Sequence, residues 1–206
     1  YVLQSSAVIY YFKYVVQNNS LVQVVATITT LVPVVTNLCA PFLVKRTYKK
    51  NLMVVGNIGH IAGLLIIFFG GTNVPVLVVG AVIAAAGYGL KGSMHFAMQP
   101  DPVDYGEWKS GVNTAGTLSA VNGFIGKVGM AIASAVGAAL LAMGGFDSNT
   151  AVQSLNAQNY ISAMYIWAPI VMNIGSIITM MFYDLDKINP QIIKELDERR
   201  KAAWQK

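Results

Sequence analysis

Thr114-Ala-Gly-Thr-Leu-Ser-Ala-Val-Asn122-Gly-Phe-Ile-Gly-Lys127-Val-Gly-Met-Ala-Ile-Ala-Ser-Ala-Val-Gly-Ala-Ala-Leu-Leu-Ala-Met143 is an unbroken apolar stretch with a single charge, Lys127. As a helix rising about 1.5 Å per residue, it is longer than the roughly 30 Å hydrocarbon core of a bilayer. Barrel strands alternate polarity over about ten residues, and this stretch does not alternate. It reads as a transmembrane helix, and its neighbours have to be read in the same solvent.

Similar windows occur near residues 21–44, 51–70, 74–98 and 160–183. Composition agrees: 55% of the 206 residues are hydrophobic and 11% charged, where a soluble domain carries roughly 25% charge. A sixth window opens at Tyr1 and runs only to about Val16, short for a span. The sequence starts on Tyr1 with no charged n-region, and Tyr10-Tyr-Phe-Lys-Tyr14 is no small-residue cleavage site. The expectation is therefore a span cut by the start of the sequence rather than a secretory signal. The fold class expected is an all-α membrane protein of six transmembrane helices over 1–183, followed by a tail at 184–206.

Charge fixes the expected orientation. Lys45, Arg46, Lys49 and Lys50, the loop with Lys109, and the tail with Lys194, Arg199, Arg200 and Lys201 all fall on one side of such a bundle. The opposite loops, 17–20, 70–73 and 144–159, carry only Asp147. Basic loops mark the cytoplasmic side, so both ends are expected there. The net charge of +5 then reflects topology and not nucleic-acid binding. Cys39 is a lone thiol, so neither a disulfide framework nor a thiolate metal cluster is available. Gly59 and Gly63, like Ala133 and Gly137, stand four apart and would let helices approach closely in lipid. Pro33, Pro41 and Pro169 sit inside or near span ends, where neighbours can satisfy the carbonyls they free.

Polar residues inside the spans carry the functional signal. Lys127 lies about ten or more residues from either end of its helix, too deep to reach water comfortably. An ammonium at that depth costs about 2.5–3.5 kcal/mol on insertion scales, so it needs a partner or a cavity. It either pairs with a carboxylate to lock two helices or serves a substrate or coupling site. Lys91 and His95 share a helix face, four residues apart. Lys91 is close enough to one end to snorkel or pair at the surface. His60 reads as a packed, hydrogen-bonded histidine, and Lys13 as reaching the outer headgroups. Asp101, Asp104 and Glu107 recur every three residues behind Pro100 and Pro102, which predict an irregular turn. They form either a solvated loop or an ion-pair latch between helix ends, with Lys109 or a further part of the protein supplying cations.

Asp101-Pro-Val-Asp-Tyr-Gly-Glu-Trp-Lys-Ser-Gly111, then Gly116, then Gly126-Lys127 closely resembles the signature of the glycoside-pentoside-hexuronide:cation symporters, a branch of the major facilitator superfamily. Tyr10-Tyr-Phe-Lys-Tyr-Val15 resembles the end of that family's seventh helix. Gln153-Ser154 and Pro169 resemble its last outer loop and final helix, and 183–200 its cytoplasmic tail. The resemblance covers essentially the whole chain.

It implies that the six spans are helices seven to twelve of a twelve-helix carrier in the cell membrane. Such a carrier moves a glycoside, pentoside or hexuronide together with Na⁺, H⁺ or Li⁺ by alternating access, and the cation-binding carboxylates lie mainly in the N-terminal six-helix half. No cofactor is implied. Lys127 corresponds to the family's central lysine near the sugar and cation sites, with Asn122 a turn earlier as a possible sugar contact. Asp101, Asp104 and Glu107 correspond to its cytoplasmic acidic cluster. One departure stands out: the family pattern Gly-x-Arg-x-Glu-Gly reads Gly111-Val-Asn113-Thr-Ala115-Gly116 here, which removes two expected gate partners. The rival classes are a carrier for another small polar solute and a channel or structural subunit. An intramembrane enzyme would need a nucleophile with its base, or a metal set at depth, and no such motif occurs.

Overall fold

The computed structural model describes residues 2–204, and among these no β-strand occurs. Nine α-helices and two π-helical turns follow in order: α1 Val2–Tyr10, a π turn Tyr11–Val15, α2 Asn19–Val44, α3 Lys49–Gly70, α4 Val74–Met98, α5 Pro100–Ser110, α6 Ala115–Gly144, α7 Leu155–Ser162, a π turn Ala163–Trp167, α8 Ala168–Met181 and α9 Leu185–Trp204. Five continuous helical stretches are long and apolar enough to cross a membrane: Asn19–Val44, Lys49–Gly70, Val74–Ser110, Ala115–Gly144 and Leu155–Met181. This is a multi-pass membrane protein. The expected sixth span is the 9-residue α1 and the 5-residue π turn that follows it. At about 1.5 Å per residue they rise about 20 Å and fall short of the hydrocarbon core.

The irregular turn expected at Pro100 and Pro102 is not there. Gln99 is a single-residue bend with φ −60° and ψ −38°, where α4 ends and α5 begins with little change of backbone conformation. Pro100 occupies the first position of α5 and Pro102 its first turn, where a missing N–H costs nothing. The real break comes later, at Gly111, whose φ of +74° is left-handed.

Small residues bring the central helices together. A β-carbon on Gly63 of α3 would lie 2.3 Å from the Ala84 backbone nitrogen of α4, and one on Gly87 of α4 would lie 2.4 Å from the His60 nitrogen. Glycine at these positions lets the two backbones touch, as lipid-embedded helices require in the absence of a hydrophobic drive. Of the predicted pair, Gly63 makes that approach, while Gly59 has only ordinary contact with Gly87. Gly89 of α4 plays the same part against α2, where a β-carbon would meet Thr36 and Pro33. The two π turns pack on each other, with Tyr11 stacked on Tyr165 at 4.7 Å between ring centroids. Their side chains join a core of Ala7, Phe12, Val25, Leu64, Ile67, Leu77 and Ile161.

The 45–50 turn, α5 and α9 gather at one end of the bundle, called the charged end below. Lys50 ties the α3 N-terminus to the tail, its backbone N–H donating to Asp186 and its ammonium to the Met181 carbonyl. By contrast α6 stands apart along its N-terminal half, where Phe124 is 70% and Ile125 61% exposed. It packs on the bundle only toward Gly137 and Gly144.

Candidate functional site

A cavity of about 620 Å³ opens between α3, α4, α6 and α8, lined by both apolar side chains and a cluster of polar ones. His60 on α3, Lys91 on α4 and Asn173 on α8 form the centre of that cluster. The Lys91 ammonium lies 2.8 Å from His60 Nδ1 and donates to the Asn173 side-chain oxygen. The Asn173 amide donates to the Pro169 carbonyl at 2.7 Å and lies 3.1 Å from His60 Nδ1. Because a carbonyl only accepts, Asn173 must turn its nitrogen to Pro169 and its oxygen to Lys91. His60 Nδ1 is then an acceptor, and the imidazole is neutral with its proton on Nε2. A turn away, Asn57 donates to Ser176 and to the Met53 carbonyl. His60, Asn57 and Asn173 are all buried. A smaller cavity of about 230 Å³ adjoins, lined by Ser5, Thr29, Thr30 and Tyr165, and shares Gln4, His60 and Tyr88 with the first.

Lys91 was expected to snorkel or to pair at the surface, and the structure turns it inward instead. The reason is rotational: at its position on α4 the side chain faces His60 and Asn173, whose acceptors it reaches. His60 is packed and hydrogen-bonded, as its place in an apolar span implied. His95 also lines the larger cavity but is exposed, 3.4 Å from the Gln99 amide. Lys127 lies elsewhere, on the exposed half of α6, with no hydrogen bond or ion pair to any described residue. Asn122 is exposed on the same helix. Lys13 is exposed, with its ammonium 4.9 Å from the Tyr14 ring centroid.

At the charged end the three acids have different fates. Asp101 is 2% exposed and forms a hub. Lys49 donates to both its oxygens, at 2.6 and 2.7 Å, the Tyr183 hydroxyl donates at 2.5 Å and the Asn189 amide at 2.8 Å. Burial first, and then this hydrogen bond to Asp101, push the Tyr183 hydroxyl above its ordinary range. Glu107 accepts from Asn113 at 2.6 Å and pairs with Arg200 of α9 at 3.0 Å. Trp108 donates its indole N–H to Glu195, and Arg199 donates to the Trp108 carbonyl. Asp104 makes no hydrogen bond or ion pair to a described residue.

The cations of these pairs are thus Lys49 and Arg200. Lys109, one of the two expected sources, instead stands 5.8 Å from the Tyr105 ring centroid. Sequence spacing missed Lys49 and Arg200 because each lies about fifty or more residues from its acid.

A bundle of membrane-length helices that lines a cavity bearing a buried polar cluster and gathers charged residues at one end defines a multi-pass membrane protein built around an internal polar site. The family model described as "MFS/sugar transport protein" matches residues 1–187, and the chain belongs to that family. This bears out the resemblance carried by 101–127. The isoprimeverose transporter of Lactiplantibacillus pentosus is 35% identical over 95% of this chain and 41% of its own length. The glucuronide carrier protein homolog of Escherichia coli (strain K12) is 29% identical over 98% of this chain and 44% of its own length. The uncharacterized symporter YnaJ of Bacillus subtilis (strain 168) is 30% identical over 97% and 43%. These relatives are named as transporters, carriers and symporters and not as enzymes. The chain spans about two-fifths of the length of each.

Proposed function

We propose that this chain is the C-terminal half of a sugar:cation symporter working by alternating access, with a glycoside, pentoside or hexuronide as substrate. The observation that carries the reading is the polar cluster of His60, Lys91 and Asn173 on a cavity of an apolar bundle whose sequence matches the sugar-transport family over 1–187. Residues 1–183 form the bundle domain and 184–206 its tail. An N-terminal six-helix half covers the exposed part of α6, and the relatives' greater length supports this. Lys127 then faces the interface between halves, where it meets carboxylates of the other half, and Asn122 contacts sugar from the same side. The coupling cation, Na⁺, H⁺ or Li⁺, binds mainly in that N-terminal half.

The charged end is cytoplasmic, in keeping with its lysines and arginines, and the protein sits in the cell membrane. Asp101, Asp104, Glu107 and Asn113 belong to the inward gate, which opens and closes as the halves rock. The test is counterflow of a sugar panel into vesicles containing the full-length carrier, with and without Na⁺. Saturable exchange of one sugar class, stimulated by a cation, is the expected result. Exchange of other small solutes only would point to a different carrier of the same superfamily, and flux without saturation to a channel.

A further inference from the structure

Among the described residues Lys91 has no carboxylate partner, and the sequence explains why. The first acid in the chain is Asp101, so α1, α2, α3 and α4 contain no Asp or Glu, and neither do α6 or α8. Within the described residues the ammonium is held by neutral groups only, His60 Nδ1 and the Asn173 oxygen, with the Tyr88 ring 5.5 Å from it. Those two acceptors take two of its three N–H bonds, leaving one free of them on a lining residue of the 620 Å³ cavity. A positive charge inside a membrane bundle is costly until an anion reaches it.

The neighbouring residues extend that charge into a sugar-sized environment. Gln4 and Ser5 present an amide and a hydroxyl in the adjoining cavity, Thr29 and Thr30 add hydroxyl oxygens whose own protons go to the Val25 and Ala26 carbonyls, and Gln4 and His60 line both cavities. Amides and hydroxyls match the donors and acceptors of a pyranose, while the ammonium matches a carboxylate and disfavours a bound Na⁺.

We infer that Lys91, positioned by His60 and Asn173, is a carboxylate subsite that selects sugars bearing an acidic group, of the uronic-acid type, over their neutral counterparts. The inference rests on the transport reading for the sugar itself and adds the charge class. Lys91 touches the ligand, and His60 and Asn173 act as positioning residues.

The experiment uses matched pairs of p-nitrophenyl β-glycosides that differ only in the group at C6: glucuronide against glucoside and galacturonide against galactoside. Binding is measured on the purified full-length carrier, and uptake on the same protein in proteoliposomes. In the wild type at least one uronide binds about tenfold or more tighter than its neutral partner. Lys91→Met lowers that ratio about ten- to a hundredfold, as expected for a lost charge-assisted hydrogen bond, and Lys91→Arg keeps most of it. The ratio compares two ligands on one protein, so a general loss of folded carrier cancels. If every neutral sugar binds as well as its uronide in the wild type, or if Lys91→Met lowers both by one factor, the subsite is overturned while the transport reading stands. Selective uronide binding without uptake keeps the subsite and removes the transport reading.

Discussion

Replacing Asp101 by leucine should detach the tail helix and loosen the charged end of the bundle together. The carboxylate is 2% exposed and receives four hydrogen bonds from three residues on two other elements and the link before α9. Breaking a buried ion pair costs about 3–5 kcal/mol, because the partner charge stays behind. Lys49 keeps 20% of its side chain exposed and can partly rehydrate, which puts the pair at the lower end of that range. Tyr183 and Asn189 each lose one hydrogen bond, worth about 1 kcal/mol apiece. The expected total is about 3–5 kcal/mol, since losses within one network do not add in full.

Thermal unfolding of the purified full-length carrier reads the stability, and limited trypsin cleavage at Arg199 and Arg200 reads release of α9. Asp101→Asn, which keeps an acceptor, should fall between wild type and leucine. Lys49→Met combined with Asp101→Leu should cost at least about 1 kcal/mol less than the sum of the two single changes. Asp104→Leu is the control. If Asp101→Leu unfolds no sooner than the control and its tail is cut no faster, the hub does not hold this end.

Other consequences are quicker to state. Gly63→Val should destabilise the bundle by about 1–3 kcal/mol or more in thermal unfolding, because its β-carbon meets backbone of α4 that cannot step aside. Lys127→Ala in the full-length carrier should change the cation dependence of sugar uptake, and unchanged coupling would remove Lys127 from that path. The Trp108 indole holds the Glu195 carboxyl below its ordinary value of 4.5. A depressed carboxylate stabilises above its unfolded value and loses that contribution as pH falls through the folded one. Trp108 fluorescence in a full-length carrier with every other tryptophan, Trp167 and Trp204 among them, replaced by Phe should therefore stay constant down to pH 5 and change only below about 4.5. A transition above that value would contradict the contact.

The spans were legible because length and apolarity need no partner to be recognised, and 114–143 alone set the solvent. The failures have a common cause. Lys91 on depth alone reads as a snorkelling lysine, and only the rotation of α4 against α3 and α8 shows that it faces His60 and Asn173. Some signal was present, since Asn57, His60 and Asn173 are polar residues deep in apolar spans and ask for partners. The acids at 101–107 were visible as a group, yet Lys49 and Arg200 reach them from α3 and α9, and no local spacing encodes that. The two π turns left no mark on the apolar pattern, although they set Tyr11 against Tyr165 and bury much of the core's aromatic surface. Pro100 and Pro102 misled in the opposite sense, because a first turn tolerates what a helix interior does not.

A cation-driven sugar carrier of which this bundle is half must concentrate sugar against its gradient. Full-length protein in proteoliposomes is given an inward gradient of Na⁺ or H⁺, and internal sugar is followed against time. Saturable accumulation above the external concentration, abolished when the gradient is collapsed with an ionophore, is the expected result. Equilibration that stops at the external concentration and ignores both cation gradients would contradict it.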